Sequence, residues 1–486
     1  MQYKALRKDV TSSATSPGLL VFNSVAEVES LIGPVTQDNP LAFGLSLAFL
    51  NAPTISLSAL GVDETSADAP DGTLDGYQRA LDYLELKEVY AIAPLTQDRE
   101  VHKLLSLHVT ELSKPESKKE RMGIVSMAIP TEKEPTLVIS GTATIGPEIN
   151  GKYVLTFTDD TLNIPVALNG KTDANNTTIV GGVGQDYTTQ NGIYLDREGD
   201  AFKYWVSKVV GTNQVQIEIN DAFLPGSGPG TGGNDDGFYK TDNAALANFP
   251  ANGELVTILI RQAAIDTSTT AGKLAACEAL AEIAGGASGY QNRRLVALQP
   301  EQVGTTLDGT ELLVPGHYVG AAIAAMVGQQ NPSQPFTNLP MVGFTRPVGS
   351  NDKFSETQMA TAAAGGIYWV IQDTPGGPLA SRHQLTTDVT SLKTRELSIL
   401  KSIDFLAKLI RNQVKRFIGR NNITKQLLET VALGINGALS NASGSVVASA
   451  SLDRIAQDKS NLDTITVDIT VVPFYPANYI KITIFV

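Results

Sequence analysis

The sequence is poor in the residues that usually build chemical sites. Its one cysteine, Cys277, excludes an intrachain disulfide framework and a cysteine-based zinc site. Its four histidines are His102, His108, His317 and His383. None belongs to an H-E-x-x-H pattern, and His102 and His108, on one predicted helix, do not share a face. Zinc and triad arrangements therefore lack the spacing they need. A G-x-S-x-G elbow is absent as well. No apolar run approaches the ~20 residues of a membrane span. The opening "MQYKALRKDV" has basic residues but no apolar core behind them, unlike a secretory signal. Positive charge is in deficit: 37 Lys and Arg against 50 Asp and Glu give a net charge of −13. That balance argues against nonspecific DNA or anionic-membrane binding. No catalytic, metal or cofactor site emerges, which in a chain of 486 residues favours a structural role over an enzymatic one.

Two motifs come close to a site and fail. "GPEINGKY" spaces Gly146, Gly151 and Lys152 like a phosphate loop. Tyr153 then stands where a magnesium-binding hydroxyl belongs, and a strand pattern follows instead of a helix. "DGTLDGYQRALD" puts Asp71, Thr73, Asp75, Gly76 and Asp82 at calcium-loop positions, but the twelfth residue is not the bidentate glutamate. A helix start with Asp75 as N-cap accounts for it.

What the chain does have is secondary-structure signal. "LDGYQRALDYLELKEVYAIAP" reads as a helix running into a strand, "TQDREVHKLLSLHVTELSKP" as an amphipathic helix, and "RMGIVSMAIP" as a buried strand. Together they make a βαβ unit. Later, "AGKLAACEALAEIAGG" is a helix and "RRLVALQP" a strand. "PGHYVGAAIAAMVGQQNP" is a helix opening on Pro315, and "GGIYWVIQD" is another strand. Between 131 and 254 helical periodicity disappears, and short alternating runs such as "KYVLTFTD" and "QVQIEIN" are separated by turn residues. The expected organisation is a multidomain α+β or α/β protein. A β-rich domain (131–254, sandwich- or barrel-like) interrupts an α/β core made of 1–130 and 255–472.

The last third is helical, then alternating. Ile399, Ile403, Leu406, Ile410, Val414 and Phe417 share one face of a long helix, and Gly419 suits its C-terminal cap. Lys401, Lys408, Arg411, Lys415 and Arg416 dominate its charge, with Asp404 alone opposing them. Such a stripe is either a solvated face or a docking surface for an acidic partner. "TITVDITVVPF" and the final "FYPANYIKITIFV" both alternate with a period of two. The terminal strand, Tyr479, Ile480, Lys481, Ile482, Thr483, Ile484, Phe485 and Val486, completes a hairpin in its own chain or pairs with another molecule.

Several blocks resemble the contractile tail sheath family of phages and related injection machines. They are "NPLAFGLSLAFLNAP", "LKEVYAIAPLTQDREVHKLLSLHVTELSKPESKKERMGIV", "LLVPGHYVGAAIAAMVGQQNPSQPFTNLPMVGF", "SRHQLTTDVTSLKTRELSILKSIDFLAKLIRN" and "FYPANYIKITIFV". The resemblance implies a non-enzymatic subunit, without cofactor, that forms stacked hexameric rings around an inner tail tube. Contraction would drive that tube through the host envelope. It implies an outward-facing 131–254 domain and a C-terminal arm, 473–486, whose strand joins a neighbour's sheet. Pro473 and Pro476 would be the arm's hinge, and the basic residues would face the tube. The implied partners are further copies of the chain, the tube protein, and baseplate and tail terminator proteins, with no direct nucleic acid and no stable membrane insertion. The implied location is the virion tail, with assembly in the host cytoplasm. Tailocin and other injection-system sheaths belong to the same class. A protein led by a carbohydrate-binding β insertion is the alternative from a different class. Only Met1 and Gln2 precede "YKALRKDV", so either the N-terminal arm the family implies is very short, or the sheath is a compact one, or the sequence is part of a longer product.

Overall fold

The computed structural model describes residues 18–62, 73–131 and 265–478, and between 132 and 264 the strands named below. The chain divides into two compact units, Met1–Ile129 with Leu280–Val486, and Pro130–Ala279.

The first unit opens with β1 (Leu20–Phe22), α1 (Val25–Ile32), α2 (Pro40–Asn51) and β2 (Leu57–Ala59). Ser24 and Asn39 cap the two helices by accepting from Glu27 and Ala42 N–H groups. Helix α2 is apolar nearly all round and is buried accordingly. Next come α3 (Thr73–Glu85), β3 (Ala91–Ile92), α4 (Arg99–Leu112) and β4 (Met122–Ser126). β3 and β4 pair in parallel across α4, which is the expected βαβ unit. Helix α3 begins at Thr73, so Asp75 lies in its first turn and not at the cap. A carboxylate there still meets the positive end of the helix dipole.

The second unit contains β5 (Leu137–Ile145), β6 (Lys152–Thr158), β7 (Gly192–Arg197), β8 (Asp200–Tyr204), β9 (Lys208–Val210), β10 (Gln214–Asn220) and β11 (Glu254–Arg261). They form one antiparallel sheet in the order β8-β7-β11-β5-β6-β10-β9. Among the described residues this is a single sheet, without the second layer of a sandwich. Lys152 opens β6 opposite Asn220, a strand position that offers no helix to a phosphate. Helix α5 (Thr270–Gly285) carries Cys277, which is buried, and burial pushes its thiol up to about 12.

The rest of the first unit contains β12 (Leu295–Gln299), β13 (Gln302–Leu307), β14 (Thr310–Pro315), α6 (His317–Gln329), β15 (Pro340–Met341), β16 (Phe344–Val348), α7 (Glu356–Ala364), β17 (Ile367–Ile371) and β18 (Leu379–Ser381). A six-stranded sheet runs β15-β18-β17-β12-β4-β3, with β3, β4, β12 and β17 parallel. These runs are buried on both faces, as a parallel sheet covered by helices requires. Ile124 faces Gly320 of α6, while a Cβ on Gly123 would lie 2.8 Å from Leu105 of α4. Adjacent strand residues point oppositely, so α4 and α6 cover opposite faces. Pro315 ends β14 opposite Gln302 instead of opening α6. Proline is tolerated there because β14 is an edge strand of the small β14-β13-β16 sheet.

The unit closes with α8 (Leu392–Arg395), α9 (Leu397–Val414), α10 (Lys425–Ala442), β19 (Ser449–Gln457) and β20 (Ile465–Val472). Gly419, at φ +69°, turns the chain just past a 3₁₀ turn that ends α9. No helix among the described residues is long and apolar enough to cross a membrane.

Candidate assembly surface

Helix α9 is held within the first unit by apolar burial and by charge. Ile399 and Leu406 are buried, and Leu397 and Leu400 join the main core. Asp404 takes both guanidinium nitrogens of Arg294, at 2.8 and 2.9 Å, and the Tyr90 hydroxyl at 3.1 Å. Burial and that carboxylate push the Tyr90 phenol well above its ordinary range. Farther along, Lys408 approaches Glu88 at 4.0 Å and lies over the Tyr90 ring, and Arg411 pairs with the buried Glu120.

These contacts divide the expected basic stripe. Lys401 is 6% exposed and does not face solvent. Its ammonium donates to the Gln330 and Asn331 carbonyls at 2.6 and 3.2 Å and lies over the Phe336 ring. Burial lowers its pKa to about 8. The helical spacing is as expected, but the loop after α6 covers this position and its carbonyls take the charge. Lys408 and Arg411 serve partners within the chain. Lys415 and Arg416 remain exposed, on the turn that ends α9, beside Ile418 at 66% exposure.

Beyond α9, helix α10 and the β19–β20 hairpin form a small module. Leu406, Val431, Ile435 and Leu439 make its core, and Ala450, Leu452, Ile455, Val467, Ile469 and Val471 lay one hairpin face on it. The register slips between Leu452 and Arg454, a bulge that lets Leu452 and Ile455 share a face. The other face is polar, with Arg454 to Asp468 at 2.9 Å and Thr470 donating to Asp453 at 2.6 Å. β20 therefore pairs with β19. Among the described residues this sheet stops at two strands, so each has an outer edge without a strand beside it. The terminal strand, Tyr479–Val486, lies outside the described residues. Of the two expected hinge prolines, Pro473 is buried and Pro476 half-buried.

A polar knot that spacing did not reveal closes the region. Buried Glu396, which precedes α9, holds His383 Nε2 at 2.9 Å and Arg395 Nε at 3.2 Å on its Oε1. Asn478 Nδ2 donates to the same oxygen at 3.0 Å. Burial raises the Glu396 pKa, but the His383, Asn478 and Arg395 contacts outweigh it and hold the carboxyl below its ordinary value. Of the other histidines in the first unit, His102 and His108 are buried and His317 is half-buried. Burial pushes His102 to about 4 and His317 to about 3, and burial with the adjacent Arg121 pushes His108 to about 4. No group of three or more potential metal ligands occurs among the described residues. Asp71 lies outside them, while Thr73, Asp75, Gly76 and Asp82 are helical and cannot wrap an ion.

No family model matches the sequence, and no curated protein matches it. The fold, however, aligns over 100% of this chain and 91% of the other with the helical sheath of the anti-feeding prophage in its contracted state (TM-score 0.52, 10% identity). The chain has the fold of a contractile sheath protein. Sheath tail proteins of Desulfitobacterium hafniense (TM-score 0.29, 8% identity, 73% of this chain and 97% of that one) and Listeria innocua (0.30, 12%, 82% and 96%) also match. At such identities the likeness is one of fold and assigns no residue a role. Within the sheath fold the roles must come from the contacts of this chain.

Proposed function

We propose that this protein is the sheath subunit of a contractile tail. The observation that carries this is the likeness of fold along the whole chain to a helical sheath. Subunits would form stacked hexameric rings around an inner tube, in a phage tail or a related injection device. Baseplate and terminator proteins would bound the stack. Contraction would drive the tube through an envelope, so the role is mechanical and not catalytic.

Two local features support the reading. Among the described residues the β19–β20 sheet has no third strand, and the terminal segment Tyr479–Val486 has the alternation needed to add one in a neighbour. Strand addition supplies many backbone hydrogen bonds without a large flat interface, so subunits can rotate while staying linked. Such a donor-to-acceptor contact is heterologous, and if it does not close it builds an open helix. Exposed Lys415 and Arg416 would meet an acidic tube in this arrangement.

Negative-stain microscopy of the purified protein, alone and with the tube protein, tests the proposal. Rings or tubes are expected. A monodisperse monomer under all assembly conditions overturns it.

A further inference from the structure

The stretch after β20 has little to hold it. Phe474 and Tyr475 are 39% and 48% exposed, and no strand among the described residues pairs with 473–478. Asn478 is different. Its Oδ1 accepts from the Thr337 hydroxyl at 3.1 Å while its Nδ2 donates to Glu396 Oε1 at 3.0 Å and lies 3.0 Å from His383 Nε2. One side of the amide accepts and the other donates, so the clamp has a polarity that neither alanine nor aspartate can supply.

Both halves of the clamp are rigidly backed. Thr337 follows buried Phe336, whose N–H is held by Gln384 Oε1 at 3.0 Å, and Gln384 in turn donates to Ser398 of α9 at 2.9 Å. Glu396 is fully buried at the start of α9. Its second oxygen, Oε2, is buried without a hydrogen-bond partner among the described residues.

We infer that Asn478 is the anchor of the C-terminal segment: it ties that segment to the N-terminal end of α9 through Glu396 and to the loop after α6 through Thr337. The segment then pivots beyond Asn478 and not at Pro473 or Pro476. If the terminal strand links subunits, which rests on the sheath reading, tension on it enters α9 directly. The far end of that helix carries the exposed Lys415 and Arg416. A helix is a stiff strut along its hydrogen-bonded axis, so the intersubunit strand and the basic end would move as one body.

Hydrogen exchange on the full-length protein tests the anchor. Asn478→Asp sets carboxylate against carboxylate, and Asn478→Ala removes the contact without adding charge. Either should speed exchange of the Asn478 amide, which donates to the Pro476 carbonyl at 3.0 Å, by about ten- to a hundredfold, the loss expected for a hydrogen bond to a charged group. Thr337→Val removes the donor on the other side of the amide and should speed the same exchange by a smaller factor. Unchanged exchange in the Asn478 variants overturns the anchor. The assembly reading is scored separately by microscopy of the same samples. Wild-type protein that never forms tubes counts against the sheath reading, while an exchange pattern as expected still establishes the anchor.

Discussion

Two sheets of the first unit, the six-stranded one and β19–β20, solve opposite problems. The six-stranded sheet is covered within its own chain: β4 and β12 are buried along their length, α4 and α6 cover both faces, and a methyl group at 123 would crowd Leu105 and Leu295. Among the described residues the β19–β20 sheet stops at two strands, with one face on α10 and the other polar. A lone two-stranded sheet is marginal in water. Its stability comes from the helices beneath it, and in the proposed assembly its edges would take a neighbour's strand. Damage to the first sheet should therefore unfold the subunit, and damage around the second should spare folding and stop assembly.

The largest effect should come from the fastening between the two regions. Asp404→Ala leaves Arg294 charged, nearly buried and unpaired, which should cost about 3–5 kcal/mol of stability by urea denaturation. Gly123→Ala forces Leu105 or Leu295 aside and should cost about 1–3 kcal/mol. If either change left the denaturation midpoint untouched, the contrast with the two-stranded sheet would collapse.

Acid should attack the covered region selectively. His102, buried and held near 4 against 6.5 in an unfolded chain, binds a proton in the unfolded state between those pH values and refuses it when folded. Its contribution is thus fully present above about pH 6.5 and is lost as pH falls toward 4, on the order of 3 kcal/mol. Measured denaturation at pH 7 and 4.5 should show this loss, and His102→Gln should flatten the slope. The hairpin segment 449–472 contains no histidine.

Deleting 479–486 carries the comparison to the two-stranded sheet. The truncated chain should keep its melting temperature within a few degrees and form no tubes in the microscope. Sheaths built from truncated chains would rule out the terminal strand as the link.

The covered region was also the more legible one. Continuous apolar runs flagged β4, β12 and β17, and the amphipathic stripe flagged α9, because burial on both faces or on one stripe is written locally. β19 was missed because the bulge at Asp453 breaks its period of two. Lys401 looked solvent-facing because helical spacing records a face and not what covers it; its cover is the loop at 330–332, far off in sequence. The Asn478, Glu396 and His383 knot left no local sign, since each contact joins distant segments and its chemistry appears only in three dimensions.

The smallest expected effect separates the two kinds of basic residue on α9. Lys415 and Arg416 are exposed at the helix end, so Lys415→Gln with Arg416→Gln should move subunit stability by less than about 0.5 kcal/mol. Arg411→Gln removes the partner of buried Glu120 and should cost more, about 1–3 kcal/mol. Co-assembly with the tube protein should rank them the other way. If the exposed pair meets an acidic tube, its loss should weaken co-assembly at low salt and reduce the salt dependence, because screened surface charges act through long-range attraction. Arg411, already spent inside the chain, should leave the salt dependence unchanged in any variant that still folds. Equal salt profiles for the wild type and the Lys415, Arg416 double variant would remove the tube-facing assignment and leave these charges as a solvated helix end.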